Sequence, residues 1–182
     1  MDQGWAAIVA AIAAGFFGIT GVFAGIVVGR RQTVDQAAVE HGQWLRGQRQ
    51  EAYIKFLEAW EQALADFEQF EHQPEAWFRV PPNADPEPYY AQFDEAVTRP
   101  ISRLRPFLER VTILGTTEVE AAAVALNKVL TDLRDVLWRG FDSDGPSWVA
   151  YRRVLERSDD QRRLFVKRAR EVMLTAPRPG AE

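Results

Sequence analysis

Cysteine is absent from this chain of 182 residues, and histidine occurs only twice, as His41 and His72. Without cysteine the chain has no disulfide, no thiolate metal site and no cysteine nucleophile. Neither histidine follows a glutamate at the Glu-x-x-His spacing of di-iron bundles. Nucleotide-binding, zinc-protease and serine-hydrolase motifs are also missing. The sequence therefore predicts no catalytic residue, no metal site and no cofactor, and we expect a protein that is not an enzyme.

Charge is missing altogether from Gly4 to Gly29. As a helix this segment would be roughly 39 Å long, which exceeds the ~30 Å hydrocarbon core of a bilayer. A cleaved signal peptide needs a basic region before its apolar core, but here the first basic pair, Arg30 and Arg31, follows the segment. Because basic residues favour the cytoplasmic side, we predict an uncleaved plasma-membrane span with the N-terminus outside and the C-terminal domain in the cytoplasm.

Bulky side chains are missing from one face of this predicted span. The stripe at helical spacing consists of Gly4, Ala7, Ala11, Ala14, Gly18, Gly21 and Gly25. Small faces let helices approach closely in lipid, where no hydrophobic effect drives them together. We therefore predict a homo-oligomer assembled through this face. A lone anchor and pairing with a different membrane protein stay open as alternatives.

A pore is the second function that the same stripe allows. Several copies would place glycine and alanine backbones around an axis, with Thr20 as the hydroxyl side chain at mid-depth. Narrow apolar constrictions can gate by dewetting. The alternative function is therefore a homo-oligomeric ion channel or pore, although no charged residue in the span indicates ion selectivity.

Proline is absent before Pro74, so the chain after the span can continue as a helix. Residues 30–52 are polar on nearly all sides, which is typical of a bridging helix. Residues 53–175 alternate apolar stripes with turns and predict a cytoplasmic helical bundle, and residues 176–182 predict a flexible tail. The predicted fold class is all-α, with one N-terminal transmembrane helix continuing toward an antiparallel helical bundle.

Within the bundle, apolar stripes predict helices over residues 89–114, 117–141 and 147–173. We expect Pro100 and Pro106 to break or kink the first of these helices. Ser158 with Gln161 fits a capping box that would restart the last one. The proline-rich stretch Gln73–Pro88 predicts a loop.

Trp77 and Phe78 are the two large aromatic residues at the start of that predicted loop. They could pack on the bundle or form a tip that docks a partner.

Basic residues crowd the last predicted helix, whereas the helix from Glu51 is acidic. One interpretation is complementary packing of these two helices. The other is contact with the anionic inner leaflet, which attracts basic side chains near the membrane. The residues that would make this contact are Arg30, Arg31, Arg162, Arg163, Lys167 and Arg168. The net charge of −4 argues against nucleic acid, so the predicted partners are a second copy of the chain, the lipid bilayer and an unknown cytoplasmic protein.

The segment GRRQTVDQAAVEHGQWLRGQRQEAYIKFLEAW, with the glycine-rich span before it, resembles uncharacterised small single-pass membrane proteins of actinobacterial type. The resemblance covers roughly the first 65 residues, that is, the span and the juxtamembrane helix. It implies a plasma-membrane location and no particular activity. No functional residue is carried over from it.

Overall fold

The protein is described from a computed structural model over residues 40–81, 83–141 and 145–175. These ranges contain helices and no strand, which confirms the all-α prediction. The helices are α1 (residues 40–72), α2 (Pro74–Phe78), α3 (Glu87–Leu114), α4 (Thr117–Phe141) and α5 (Trp148–Leu174). None of these helices combines the length and the apolar character needed to cross a bilayer.

Several predicted regions lie outside the described residues. They are the span at residues 4–29, residues 30–39 of the juxtamembrane helix and the tail at residues 176–182. The chain divides into two compact units, of which Leu45–Ala176 is one and Met1–Trp44 with Pro177–Glu182 is the other. The unit that contains the bundle begins at Leu45, and the predicted domain boundary at residue 53 stays a prediction. In the first unit, the rings of His41 and Trp44 stack with centroids 5.8 Å apart.

The helices α1 and α5 pack side by side and run in opposite directions. Arg162 of α5 pairs with Glu61 of α1, and Arg152, earlier on α5, pairs with Glu71, later on α1. The order of the contacts is thus reversed between the two helices. These pairs confirm that the acidic α1 and the basic α5 are complementary packing partners.

Antiparallel packing also joins α1 to α3 and closes a ring of four long helices. Arg110 of α3 lies 3.2 Å from the Glu51 carboxylate, whereas Arg103, earlier on α3, is near Asp66, later on α1. The helix α4 packs against both α3 and α5. Short connections between consecutive helices favour this antiparallel arrangement. The bundle prediction is confirmed for the described helices.

The core consists of one apolar stripe from each long helix. The largest fully buried side chains among the described residues are Phe56, Trp60, Phe67, Phe70, Phe93, Leu104, Leu126, Leu130, Leu133, Leu137, Tyr151 and Phe165. Across the bundle, the indole N–H of Trp60 donates a hydrogen bond to the Leu126 carbonyl at 3.1 Å. Buried polar groups need such partners. The Trp60 side chain therefore fills space in the core and, through this bond, also fixes α1 against α4.

The predicted breaks in α3 and α5 are wrong, whereas a kink of α3 at Pro100 or Pro106 stays a prediction. The helix α3 continues through Pro100 and Pro106, and α5 continues through Ser158, which is 3% exposed within the helix. A proline inside a helix costs about 3 kcal/mol, while burying each large apolar side chain contributes about 1.5–3 kcal/mol. Because buried Val97 and Leu104 lie on both sides of Pro100, packing outweighs the local penalty.

The predicted loop after α1 contains the short helix α2. Trp77 packs on Phe70 of α1 with ring centroids 4.8 Å apart, and Phe78 packs on Phe93 of α3 at 5.5 Å. Both residues are partly buried against the core. Of the two interpretations of Trp77 and Phe78, packing on the bundle is therefore confirmed, and the docking tip is not.

The bundle has two ends of different chemistry. At the aromatic end, α1 is followed by α2, α3 begins, α4 ends and α5 begins, and the rings of Phe78, Phe93 and Phe141 meet there. At the polar end, the bundle unit starts at Leu45, α3 ends, α4 begins and α5 ends. The two names are used below in this sense.

Candidate interaction surfaces

Several cations of the polar end are used within the bundle. The Nε–H of Arg49 donates to the carbonyl of Leu114, the last residue of α3, at 2.6 Å. The last carbonyls of a helix have no partner inside the helix, so a side-chain donor stabilises them. Arg110 donates to Gln48 at 3.0 Å and to Glu51 at 3.2 Å. These residues tie the start of the bundle to α3 and are not free for a partner.

Glu51 is the carboxylate at the centre of this network. The hydrogen bond from Lys55, with the charge of Arg110 next to it, lowers the pKa of the Glu51 carboxyl. The charged form is therefore the stable one at neutral pH. The side chain is solvent-exposed, so its ion pairs contribute little to stability. The network orients side chains rather than forming an acid–base site.

Two buried tyrosines differ in their hydrogen bonding. The Tyr151 hydroxyl donates to the Phe67 carbonyl at 2.7 Å, whereas the Tyr53 hydroxyl is buried without a partner. Burial raises the pKa of both phenols, which stay neutral at physiological pH. Neither hydroxyl has a side-chain hydrogen-bond partner among the described residues.

Most of the basic residues predicted on the last helix are paired. Arg162 holds Glu61 of α1 with both Nε, at 2.9 Å, and Nη2, at 2.5 Å. Arg163 pairs with Asp160 on its own helix, and Arg168 pairs with Glu171. Arg162 therefore belongs to the bundle, while Arg163 and Arg168 stay on the surface in local pairs that are weak at high exposure.

Lys167 differs from those three arginines, because no carboxylate lies within ion-pairing distance of it in the described part of the chain. The same holds for Arg170, which the sequence interpretation did not include. With Val166 and Leu174, these two cations line a shallow groove of about 360 Å³ along α5. We call this the α5 groove.

The apolar members of the α5 groove were missed from the sequence. Val166, Arg170 and Leu174 follow one another at the three- to four-residue spacing of a single helical face. The sequence shows this spacing. It does not show that Val166 and Leu174 are exposed, because Phe165 and Ala169 form a neighbouring apolar face, and the structure buries that one instead.

A second surface depression, of about 660 Å³, lies between α3 and α4. Asp94 and Thr98 of α3 line one side, and Arg134, Trp138 and Arg139 of α4 line the other. It is open to solvent and carries both signs of charge. Such a lining suits a polar partner rather than an apolar ligand.

No group of three acidic or histidine side chains is placed to hold a metal ion among the described residues. The predicted assembly stripe from Gly4 to Gly25, together with Thr20, lies outside these residues, and so do Arg30 and Arg31. The structure therefore bears only on the α5 members of the predicted contact sets.

No protein-family model matches the chain, and no curated protein and no solved structure is significantly similar to it.

Proposed function

We propose that the chain is a homo-oligomeric single-pass plasma-membrane protein whose helical bundle is a cytoplasmic binding or scaffolding domain. The uncharged segment from Gly4 to Gly29 would span the bilayer, and its small-residue face would assemble the copies. The bundle would then present its surfaces several times on one side of the membrane.

The core that the four long helices build among themselves is the observation that carries this proposal. Each of these helices contributes large buried side chains. A domain of this size has one core. An uncharged segment of 26 residues beside such a domain finds a suitable environment in the hydrocarbon of a bilayer.

The charge distribution around the segment supports the orientation. Arg30 and Arg31 follow it immediately, and no basic residue precedes it. The positive-inside rule then directs the bundle to the cytoplasm. An added glycosylation acceptor near the N-terminus, modified only on the outer side, or protease protection of the bundle in sealed vesicles tests this orientation.

Assembly is tested on the full chain in detergent by native mass spectrometry. Replacing Gly18, Gly21 and Gly25 with leucine adds bulk to the proposed contact face and should dissociate the oligomer. Replacing Ile19, Val22 and Ile26 with leucine is the matched control, because it changes the neighbouring bulky face by three apolar residues. A mass that is already monomeric in the unmodified chain, or that is unchanged in the glycine variant, contradicts assembly through this face.

The alternative is a channel whose axis is lined by the Gly/Ala face and Thr20. It is favoured by the absence of bulky side chains along the whole stripe, which a simple anchor does not need. Copy number decides between the two proposals, since a dimer has no axis to conduct through. Five or more copies together with ion flux into liposomes support the channel, and an absence of flux at that copy number supports the scaffold.

The depression between α3 and α4 supports the binding part of the proposal. Its carboxylates and guanidiniums, with the Trp138 ring partly exposed between them, fit a polar segment of a cytoplasmic protein. Charge reversal of Arg134 should abolish binding of such a partner, while reversal of Arg105 on the exposed side of α3 should leave it intact.

A further inference from the structure

The α5 groove combines two features on one surface. Lys167 and Arg170 are cations without a carboxylate partner in the described part of the chain. Beside them, Val166 is 39% exposed and Leu174 is 73% exposed. Helices that lie in the interface of a bilayer combine exposed apolar side chains, which enter the acyl boundary, with Lys and Arg side chains that attract anionic lipids.

The position of this face fits the same environment. Phe165 packs on Tyr53 and Phe56 of α1, so the C-terminal half of α5 lies toward the polar end, where the bundle unit starts. The chain from Arg31 to Leu45 spans at most roughly 50 Å, even when it is fully extended. If Arg31 marks the inner edge of the span, the α5 groove is tethered within reach of the inner leaflet.

We infer that the C-terminal half of α5 docks on anionic lipid headgroups of the inner leaflet through the α5 groove. This inference rests on the proposed single-pass topology. Lys167 and Arg170 contact the lipid phosphates, and Val166 and Leu174 enter the boundary between headgroups and acyl chains. Arg163 adds a third cation at the edge of the groove, in a local pair with Asp160.

Charge complementarity favours lipid over a second copy of the chain. The α1 carboxylates that match α5 best, Glu61 and Glu71, are already paired with Arg162 and Arg152 of the same bundle. Glu171 lines the groove as well, and its carboxylate is paired with Arg168. The carboxylates that face α5 within the bundle are therefore engaged, which leaves Lys167 and Arg170 to an anion from outside it.

The absence of cysteine makes a direct test practicable, since one introduced cysteine is labelled alone. Leu174→Cys places a spin label in the groove. Val149→Cys is the matched control on the same helix at the aromatic end, because Val149 is 72% exposed and Leu174 is 73% exposed. The full chain is placed in nanodiscs of phosphatidylcholine, with or without phosphatidylglycerol, and collisions with oxygen and with a water-soluble nickel chelate are measured.

Docking predicts that the label at position 174 becomes accessible to oxygen and shielded from the nickel chelate only in discs that contain phosphatidylglycerol. The label at position 149 should stay water-exposed in both. Lys167→Gln with Arg170→Gln should lower the docked-to-undocked ratio about fivefold for each charge removed. Arg79→Gln with Arg153→Gln removes the same charge at the aromatic end and should leave the ratio unchanged.

Each contrary result has a distinct meaning. A chain that is not retained in the discs contradicts the proposed topology, and the docking with it. A retained chain whose label at position 174 stays as water-exposed as that at position 149 overturns the docking alone. Shielding at position 174 that is equal in both lipids and disappears with one copy per disc also overturns it, because it identifies a contact with a second copy.

Discussion

The two ends of the bundle are held together by different kinds of contact. At the aromatic end, Phe93 touches four other rings, those of Phe70, Phe78, Trp138 and Phe141, with centroids 4.3–5.8 Å apart. Edge-to-face and offset pairs of this kind add to the free energy of burial. The short helix α2 supplies part of this cluster, so even the connection between α1 and α3 contributes to the core.

The polar end has fewer ring contacts, and hydrogen bonds join its helices. Phe165 has two ring neighbours there, Tyr53 and Phe56. The bond from Arg49 to the Leu114 carbonyl and those from Arg110 to Gln48 and Glu51 link α1 to α3. Exposed apolar side chains also occur at this end, with Ile113 80% exposed.

The two ends differ in what they do: the aromatic end stabilises the fold, and the polar end carries the surface that we propose contacts lipid. Packing at the aromatic end orders the four helices, whereas the polar end has fewer ring contacts and carries the cations and apolar side chains of the α5 groove. Regions with few buried contacts are also those that open first by local unfolding. A surface that must adapt to a bilayer or a partner is better placed there than in the ring cluster.

The largest effect is expected from removing the centre of the aromatic end. Phe93→Ala should lower the free energy of unfolding by about 3–5 kcal/mol, because it leaves a cavity and removes four ring contacts. Denaturant titration of the full chain in detergent, followed by helical circular dichroism, measures this loss.

Phe165→Ala is the matched control at the polar end, since Phe165 is also fully buried but has two ring neighbours. It should cost less than Phe93→Ala by about 1–3 kcal/mol, which corresponds to two aromatic pairs. Equal losses at the two positions would remove the distinction between the ends.

Helix positions could be predicted from the sequence because apolar periodicity is a local property. The stripe of Tyr53, Phe56, Trp60 and Phe67 is buried as expected, and α4 begins at Thr117 as predicted. The continuity of α3 through Pro100 could not be predicted, since it depends on packing against helices distant in sequence.

Charge pairing was predictable only in outline. Composition alone indicated that a basic helix would face an acidic one. It did not show that Arg162 is engaged by α1 while Lys167 is left without a carboxylate, because this depends on the rotation of α5 about its axis. The α5 groove follows from that rotation and was accordingly missed.

The second prediction concerns glycine at the two ends. A Cβ at Gly140 would overlap the backbone N and Cα of Pro146 at the α4–α5 turn, so Gly140→Ala should destabilise the protein by about 1–3 kcal/mol. At Gly47, in α1 near the polar end, a Cβ would meet nothing within 4 Å. Gly47→Ala should therefore stabilise the protein by about 1 kcal/mol through helix propensity. Thermal unfolding of both variants tests the opposite signs, and the same sign in both contradicts the argument.

The smallest difference in stability is expected from removing the hydroxyl of each buried tyrosine, one at each end of the bundle. Tyr151→Phe removes the hydrogen bond to the Phe67 carbonyl at the aromatic end and should cost about 1 kcal/mol. Tyr53→Phe at the polar end removes a buried hydroxyl that has no partner, so it should be neutral or slightly stabilising. Both substitutions remove one oxygen and keep the ring, so any difference between them in denaturant midpoint reports the hydrogen bond alone. A Tyr53→Phe variant that loses as much stability as Tyr151→Phe would mean that the Tyr53 hydroxyl is bonded in solution. The Thr116 hydroxyl would then remain as the buried hydroxyl at the polar end without a partner among the described residues, and the ring contacts of the aromatic end would still distinguish the two ends.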